Sequence, residues 1–318
     1  MLYRATTADD LGPALSVATA EPTGPIGHVL PQVYRDGLAR GQYRPEWTWL
    51  AVEGHRVVGR AIWTAEPGQE FPQLLECLTV DPRVAHRVTV GQQLVAAGHA
   101  GFRDAGAAMI PGYEQHLAPD ARADPAIAAA LAWRELAVRR AGLTDRVERH
   151  TLQWTTGTPP ATPSEDLCVE AEPDDDVILD GLQWIAVGSL DVATRRALAE
   201  LDPEKQARAD LDFFYQGAGS RGWWRVAWTW HGRMVGVAIP SALPDGTRTI
   251  GYLGVLPEFR GRGYVDDLLA EVTAFHAAAG ARRVLASTET ANAPMLAALR
   301  RAGYRTTGLR VILSAPTG

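Results

Sequence analysis

The sequence contains little cysteine, no long apolar run and no excess of positive charge. Its two cysteines, Cys77 and Cys168, stand in apolar, strand-like segments, so we interpret both as buried thiols rather than as a disulfide or metal pair. The net charge of −6 argues against a general nucleic-acid binder and against a protein that binds membrane surfaces. None of these absences excludes a single local basic site.

Membrane and export signals are also missing. No stretch is long enough to cross a bilayer, and Met1–Thr6 lacks the charged flank and apolar core of a signal peptide. We therefore expect a cytoplasmic protein that binds no metal, nucleic acid or membrane, and the frequent Ala, Gly, Arg and Pro residues are typical of a bacterial genome. With 46% hydrophobic and 21% charged residues, the 318-residue chain has a composition that predicts a packed core and a length that suits two domains.

Residues 156–164 have no apolar periodicity and are dense in Pro and Thr, which predicts a linker between domains at residues 1–155 and 165–318. The two predicted domains repeat one pattern. The shared markers are a hairpin glycine, a strand-ending proline and a glycine after a basic segment, at Gly59 and Gly236, Pro82 and Pro257, and Gly142 and Gly303. The last interval is longer in the first half, and we assign the extra residues to Pro111–Asp124.

The most informative segment is the turn Arg260–Gly263, between a strand-like run at Thr249–Val255 and a helical pattern at Asp266–Ala279. Its glycines let the main chain approach an anion closely, and the start of the helix adds a partial positive charge. Arg260 and Arg262 add full charges. The turn lacks both the Gly-Lys-Ser/Thr of a nucleoside-triphosphate loop and the third glycine of the dinucleotide fingerprint. It therefore predicts a cradle for another pyrophosphate.

The turn resembles the acyl-coenzyme A loop of the GNAT superfamily of N-acetyltransferases, in which a strand ending in Val-x-Pro precedes Arg/Gln-x-x-Gly-x-Gly/Ala and a helix. The residues Val255-Leu256-Pro257 and Arg260-Gly261-Arg262-Gly263 match this pattern, whereas Val265 replaces its final Gly or Ala. A second block follows at the family's usual distance. It comprises a strand at Arg283–Thr288, then Asn292, a helix at Met295–Arg301, the pair Gly303-Tyr304 and a last strand at Val311–Leu313, so that the resemblance spans Trp224 to Leu313.

The resemblance implies an α/β fold of two tandem GNAT-like domains, each a mixed, mostly antiparallel sheet flanked by helices. It implies acetyl-CoA as the acyl donor, held by the main chain of the strand before the cradle, by the cradle itself and by Asn292 as a polar anchor. The residues that it places at the cofactor are Leu253, Gly254, Val255, Arg260, Gly261, Arg262, Gly263, Tyr264 and Asn292.

The resemblance further implies direct attack of an amine on the thioester, with a main-chain N–H near Val255 polarising the carbonyl. Glu289 and Tyr252 are our candidate bases, although each is also what a solvated strand-end carboxylate or a half-buried strand aromatic would look like. The family's usual acid, a Tyr, falls at Leu299 here, and we interpret Tyr304 as core packing.

Several acidic residues near the cradle have two interpretations. Asp266 and Asp267 suit a helix N-terminus, yet a carboxylate beside a bound pyrophosphate costs electrostatic energy. The acids at Asp174–Asp176, Asp180 and Asp210–Asp212 either receive a cationic amine or cap helices and face solvent.

The first domain is predicted to lack the cradle. When Pro82 is laid on Pro257, His86 and Val88 fall where Gly261 and Gly263 stand, and a β-carbon there should block an approaching pyrophosphate. We therefore expect this domain to have a structural or substrate-shaping role; the alternative is a second coenzyme A site.

Together these features predict an acetyl-CoA-dependent N-acetyltransferase that acts on a small-molecule amine, as a monomer or homodimer. One rival is a non-catalytic acyl-CoA sensor or scaffold, which the departures at Leu299, Val265 and Asp266 favour. Another is a transferase with a different acyl donor, for which Gly254 would leave room.

Overall fold

The computed structural model describes residues 1–7, 10, 12, 26 and 29–316. The chain forms two compact units. Unit 1 comprises Met1–Val147 and Arg310–Gly318, and unit 2 comprises Glu148–Leu309. The division falls before the predicted linker at 156–164, because the strand that ends at Thr155 pairs within unit 2 along Arg149–Thr155.

Unit 1 alternates strands and helices. Its elements are β1 (Leu2–Ala5), α1 (Pro31–Ala39), β2 (Thr48–Glu53), β3 (Arg56–Thr64), β4 (Leu74–Val80), α2 (Arg87–Asp104), β5 (Gly112–Leu117) and α3 (Pro125–Arg140). Strand β6 (Asp145–Thr155) begins in unit 1 and continues into unit 2. Alternate residues of β5 are buried at Tyr113, Gln115 and Leu117. The stretch Pro111–Asp124, which we took for additional sequence, therefore contains a strand of the core.

Unit 2 has the same plan with additional short helices. Its elements are β7 (Leu167–Ala171), α4 (Asp175–Ala186), α5 (Val192–Glu200), α6 (Pro203–Gln216), β8 (Arg225–Thr229), β9 (Met234–Ala242), β10 (Arg248–Val255), α7 (Tyr264–Ala278), β11 (Arg283–Glu289), α8 (Ala293–Arg301) and β12 (Arg305–Ser314). Strand β12 passes from unit 2 into unit 1 after Leu309.

Each unit is built on a mixed sheet. The order is β1-β2-β3-β4-β5-β12 in unit 1 and β12-β6-β11-β10-β9-β8-β7 in unit 2. Neighbours among β1–β4 and among β7–β10 are antiparallel, as are β6 and β11. The exceptions are β4 with β5 and β10 with β11, which are parallel. The α/β class with mostly antiparallel sheets flanked by helices is confirmed.

Three helices of unit 2 are each preceded by an aspartate that caps the helix. The side chains of Asp174, Asp191 and Asp202 accept hydrogen bonds from main-chain N–H groups at the starts of α4, α5 and α6. These N–H groups have no partner inside the helix, so an Asp just before it stabilises its first turn. Part of the acidic character noted in the sequence therefore serves capping.

Buried apolar residues of unit 2 form two clusters. One core contains Ile178, Leu182, Val237 and Leu268, and the other contains Trp154 with residues of α8. Cys77 is buried and Cys168 half-buried, and both are free thiols. No helix in the part of the chain that the structure describes is both long and apolar enough to cross a membrane.

Candidate active site

Strands β10 and β11 separate soon after they begin. They are paired only at Arg248 with Val284 and at Thr249 with Leu285, and the register of β10 against β9 shifts at Gly251. Leu253, Gly254 and Val255 remain paired with β9. The other edge of β10 therefore faces a gap in the sheet, where its main-chain groups have no strand partner.

The main chain of Val255 is directed into this gap. The next residue, Leu256, donates its N–H to the carbonyl of Val235 on β9 at 2.9 Å. Main-chain groups of successive strand residues point in opposite directions, so the N–H and C=O of Val255 face away from β9. Its carbonyl accepts a hydrogen bond from Arg260 Nε at 3.0 Å, which leaves the N–H as the donor at the end of the gap.

The glycine turn follows directly. Gly261 and Gly263 have φ values of 76° and 89°, which glycine adopts without strain. The main-chain N–H groups from Gly261 to Val265 make no hydrogen bond to the described part of the chain. A β-carbon on either glycine would have no neighbour within 4 Å, so the space in front of these donors is open. Such an open turn at the N-terminus of α7 has the geometry that binds anions in other proteins.

The two arginines of the turn differ in role. The Arg260 guanidinium donates to the carbonyls of Ile185 at 3.0 Å and Gly188 at 2.7 Å, in addition to that of Val255. Arg260 therefore ties the end of α4 to the end of β10. Arg262 is exposed, and its guanidinium carbon lies 5.6 Å from the centre of the Phe259 ring. Arg262 supplies the accessible positive charge at the turn.

Both acids after the turn have partners. Asp266 forms a pair with Arg301, with oxygen–nitrogen distances of 2.9 and 3.0 Å to Nη2. Asp267 accepts the main-chain N–H of Ser164 at 2.7 Å. Val265, the departure from the family pattern, packs against both cores of unit 2. None of these three side chains occupies the open face of the turn.

Tyr252 lies on β10 beside the gap. Its hydroxyl makes no hydrogen bond to the described chain, and its ring lies 5.7 Å from that of Phe214 on α6. Burial and the negative charge of Asp210 raise the pKa of the phenol. A β-carbon on Gly254 would approach Ile185 to 2.5 Å and the Tyr252 hydroxyl to 2.9 Å. The interpretation that Gly254 leaves room for a larger acyl group is therefore wrong, because these side chains already fill that space.

Glu289 ends β11 and is fully buried. Its Oε2 accepts the N–H of Val192 at 2.8 Å, and its Oε1 lies 3.5 Å from Arg149 Nη1. Burial raises the pKa of this carboxyl, and the neighbouring Asp191 acts in the same direction. These contacts fix the start of α5 on β11, whereas the sequence alone suggested an exposed strand end.

Asp210 is a further carboxylate near Tyr252. It accepts a hydrogen bond from Gln206 Nε2 at 2.8 Å. Burial, with a contribution from Asp191, raises its pKa to about 6. In the sequence it was one member of an acidic group. The spacing of Gln206, Asp210 and Phe214 at four-residue intervals was the available signal, because it places them on one face of a helix.

The second motif block has mixed roles. Asn292 caps α8 through Oδ1, which accepts the N–H of Met295 at 3.3 Å, so its amide group keeps donors for another partner. Leu299 is 2% exposed within the core. Tyr304 is equally buried, and its hydroxyl lies 2.9 Å from Thr273 Oγ1, as core packing requires. Within the described residues, no group of three or more His, Cys, Asp or Glu side chains is arranged to hold a metal ion.

Comparisons with known proteins agree with this geometry. Residues 190–304 match the model of the acetyltransferase (GNAT) family. A search of curated proteins found no significant match. Among solved structures, the chain is similar to a GCN5-related N-acetyltransferase from Sphaerobacter thermophilus, with 20% identity, 100% of this chain and 96% of the other covered, and a TM-score of 0.52.

Two further solved structures are similar to the chain at lower sequence identity. One is a glucosamine N-acetyltransferase region of a fungal multi-domain β-N-acetylglucosaminidase, at 15% identity, 98% and 38% coverage and a TM-score of 0.53. The other is a tandem GNAT protein from the clavulanic acid biosynthesis pathway, at 16% identity, 100% and 99% coverage and a TM-score of 0.45. Residues 190–304 therefore belong to the GNAT acetyltransferase family, in a chain that has the fold of GNAT proteins along its whole length.

Proposed function

We propose that this acyltransferase is an acetyl-CoA-dependent N-acetyltransferase that acts on a small-molecule amine. The observation that carries the proposal is the continuity of two features, the gap between β10 and β11 and the open turn with free N–H groups from Gly261 to Val265. The gap suits an extended group, such as a pantetheine arm, that forms hydrogen bonds with the main chain of β10. The turn suits a pyrophosphate. Coenzyme A contains both parts.

Each predicted cofactor residue has a part in this proposal. The main-chain groups of Leu253 and Val255, which face away from β9, bind the arm, Gly254 lies between them, and the donors of Asn292 anchor the arm. The N–H groups of Gly261, Gly263 and Tyr264 bind the pyrophosphate, with Arg262 as the cation. Arg260 holds the turn against β10 rather than contacting the ligand.

Acetyl-CoA, when bound, supplies an acetyl thioester. The N–H of Val255 is placed to polarise its carbonyl, since a directed main-chain donor stabilises developing negative charge on oxygen. The free hydroxyl of Tyr252 lies on the same strand and can protonate a leaving sulfur, which gives the site an acid although Leu299 replaces the usual Tyr. This acid role differs from the role as a base that was predicted for Tyr252 from the sequence, and the role of Glu289 as a base stays a prediction.

Thiol release from acetyl-CoA across a fixed panel of primary amines tests the function. We expect turnover with at least one amine, and loss of more than 99% of it in Gly263→Val, because valine is strained at the left-handed φ of this residue. Tight acetyl-CoA binding without thiol release would favour the sensor or scaffold instead. Release only from a longer acyl-CoA would favour the other donor.

A further inference from the structure

Three carboxylates converge at the ends of the separated strands. Asp191 precedes α5, Asp210 lies on α6 and Glu289 ends β11, and the charge of Asp191 acts on both of the others. Arg149 lies beside two of them, at 3.2 Å from Asp191 and 3.5 Å from Glu289. Because Asp210 has no salt bridge to any of the described residues, it is able to accept a positive charge from a ligand.

The three carboxylates differ in the hydrogen-bond donors and cations that the chain provides for them. Asp191 accepts the N–H of Thr194 and pairs with Arg149. Glu289 accepts the N–H of Val192, and its Oε1 is buried without a hydrogen bond. Among the residues that the structure describes, Asp210 accepts a hydrogen bond only from the neutral amide of Gln206. A half-buried carboxylate without a cation or main-chain donor holds its charge at a cost, which a cationic ligand would remove.

Asp210 also faces the strand where the transfer would take place. Gln206, Asp210 and Phe214 follow one another at four-residue intervals on α6, and the Phe214 ring packs against Tyr252 of β10. Asp210 and Tyr252 lie close enough for the carboxylate charge to act on the phenol. The ionisable groups that face Asp210 from other elements are Tyr252 on β10 and Asp191 before α5.

We propose, on the basis of the transferase function above, that Asp210 is the catalytic base that receives the acceptor's ammonium group and removes its proton. Proton transfer gives a neutral amine and a protonated Asp210. The amine lone pair then forms a C–N bond to the acetyl carbon as the C–S bond breaks, and the second nitrogen proton leaves as the thiolate gains one. The products are the amide and the free thiol, and Asp210 returns its proton to water.

This assignment differs from the base chosen from the sequence. The Glu289 carboxylate fixes the start of α5 and is closed off from solvent, whereas Asp210 is half-buried and has one neutral partner. The raised pKa of Asp210, about 6, makes it a stronger base than an ordinary aspartate and still leaves it ionised at neutral pH.

The test compares Asp210→Asn with Asp212→Asn, an exposed carboxylate on the same helix. The measurement is kcat/KM for the best amine of the panel between pH 5 and 9 at saturating acetyl-CoA. We expect the wild type and Asp212→Asn to lose activity as the pH falls through about 6. Asp210→Asn should lose at least 100-fold and show no such inflection, with acetyl-CoA affinity unchanged within threefold.

The outcomes separate this proposal from the function on which it rests. Unchanged activity and an unchanged pH profile in Asp210→Asn would overturn it, while the transferase function would stand. Loss of the inflection in Glu289→Gln instead would assign the base to Glu289. Absence of acetyl-CoA binding or of turnover in the wild type would overturn both, and circular dichroism of each variant identifies a loss that is due to misfolding.

Discussion

The two units share a gap between two parallel strands but differ in the turn that follows it. In both, a parallel strand pair separates after two residue pairs, at Leu74 and Leu75 of β4 and at Arg248 and Thr249 of β10. In both, the strand before the gap has a register shift, at Glu76 in one and at Gly251 in the other. The gap is therefore a property of the shared fold, and it does not by itself make a cofactor site.

The turn after the gap is where the units diverge. In unit 2, α7 begins at Tyr264 after two glycines with positive φ. In unit 1, α2 begins earlier relative to the aligned prolines, at Arg87, and His86 before it has a φ of −112°. Neither His86 nor Val88 has the positive φ of the glycines that they replace. Helix therefore forms in unit 1 where unit 2 keeps an open turn. The sequence predicted the absence of a cradle from these two residues, but not the earlier start of the helix.

The charges at the two turns also differ. Arg262 of unit 2 is exposed beside the open turn. The aligned Arg87 of unit 1 lies over the Trp133 ring, with its guanidinium carbon 4.0 Å from the ring centre, and burial lowers its pKa to about 10. The same residue type is thus exposed at the turn of one unit and packed on an aromatic ring in the other.

Arg134 completes the contrast. It is buried on α3 and donates to the carbonyl of Leu78 on β4 at 2.8 Å and to that of Ala130 at 2.9 Å. When Gly142 is laid on Gly303, the aligned residue in unit 2 is Met295, which makes no comparable bond to a strand. Unit 1 therefore satisfies with its own side chain a carbonyl on the strand beside the gap.

The largest expected effect comes from removing that side chain. Arg134→Ala should lower the free energy of unfolding by about 3 kcal/mol, because it leaves a cavity and an unpaired buried carbonyl at Leu78. Urea unfolding measures the change. Arg139→Ala, at an exposed position of the same helix, should stay within about 0.5 kcal/mol of wild type. If Arg134→Ala also stayed within about 0.5 kcal/mol of wild type, unit 1 would not depend on this contact.

A matched pair of substitutions tests the two turn arginines. Arg262→Gln should weaken acetyl-CoA binding about 10-fold, or roughly 1.4 kcal/mol, with little change in stability, because it removes an exposed cation at the pyrophosphate. Arg87→Gln should instead lower stability by about 1 kcal/mol through the lost contact with Trp133, with no change in affinity. Calorimetry measures the affinity and urea unfolding the stability of both variants. Loss of stability in Arg262→Gln together with weaker binding in Arg87→Gln would contradict the roles given to the two turns.

The smallest effect concerns the carboxylates after the turn. Asp266→Asn should tighten acetyl-CoA binding by roughly two- to threefold at low salt, because it removes a negative charge near the bound pyrophosphate, and less at higher salt, where the charge is screened. Its pair with Arg301 is partly exposed, so stability should change by less than about 1 kcal/mol. Weaker binding in this variant would indicate that Asp266 contributes to the site.

The sequence predicted most of unit 2 because the motifs there follow local rules. The strand placed at Thr249–Val255 is Arg248–Val255, and the helix placed at Asp266–Ala279 is Tyr264–Ala278. The last strand extends further than its apolar stretch, over Arg305–Ser314, since alternate polar residues concealed its first half.

The environments of the candidate site residues were harder to predict because they depend on contacts between distant segments. The burial of Glu289 results from α5, whose first N–H it accepts 97 residues away. The environment of Asp210 depends on Asp191 and Tyr252, which lie on other elements. The direction of the Arg260 guanidinium was likewise set by the end of α4. Sequence patterns give the main-chain part of the site, whereas tertiary packing decides which side chains remain free to react.

Calorimetric titration of acetyl-CoA into the wild type and into Gly263→Val tests the central claim most directly. Gly246→Val is the control, because Gly246 also has a positive φ, 81°, and open space around it, but lies in the connection between β9 and β10. The account predicts one site per chain in the wild type and in Gly246→Val, and at least 100-fold weaker binding in Gly263→Val. Two sites per chain, or undiminished binding in Gly263→Val, would contradict it.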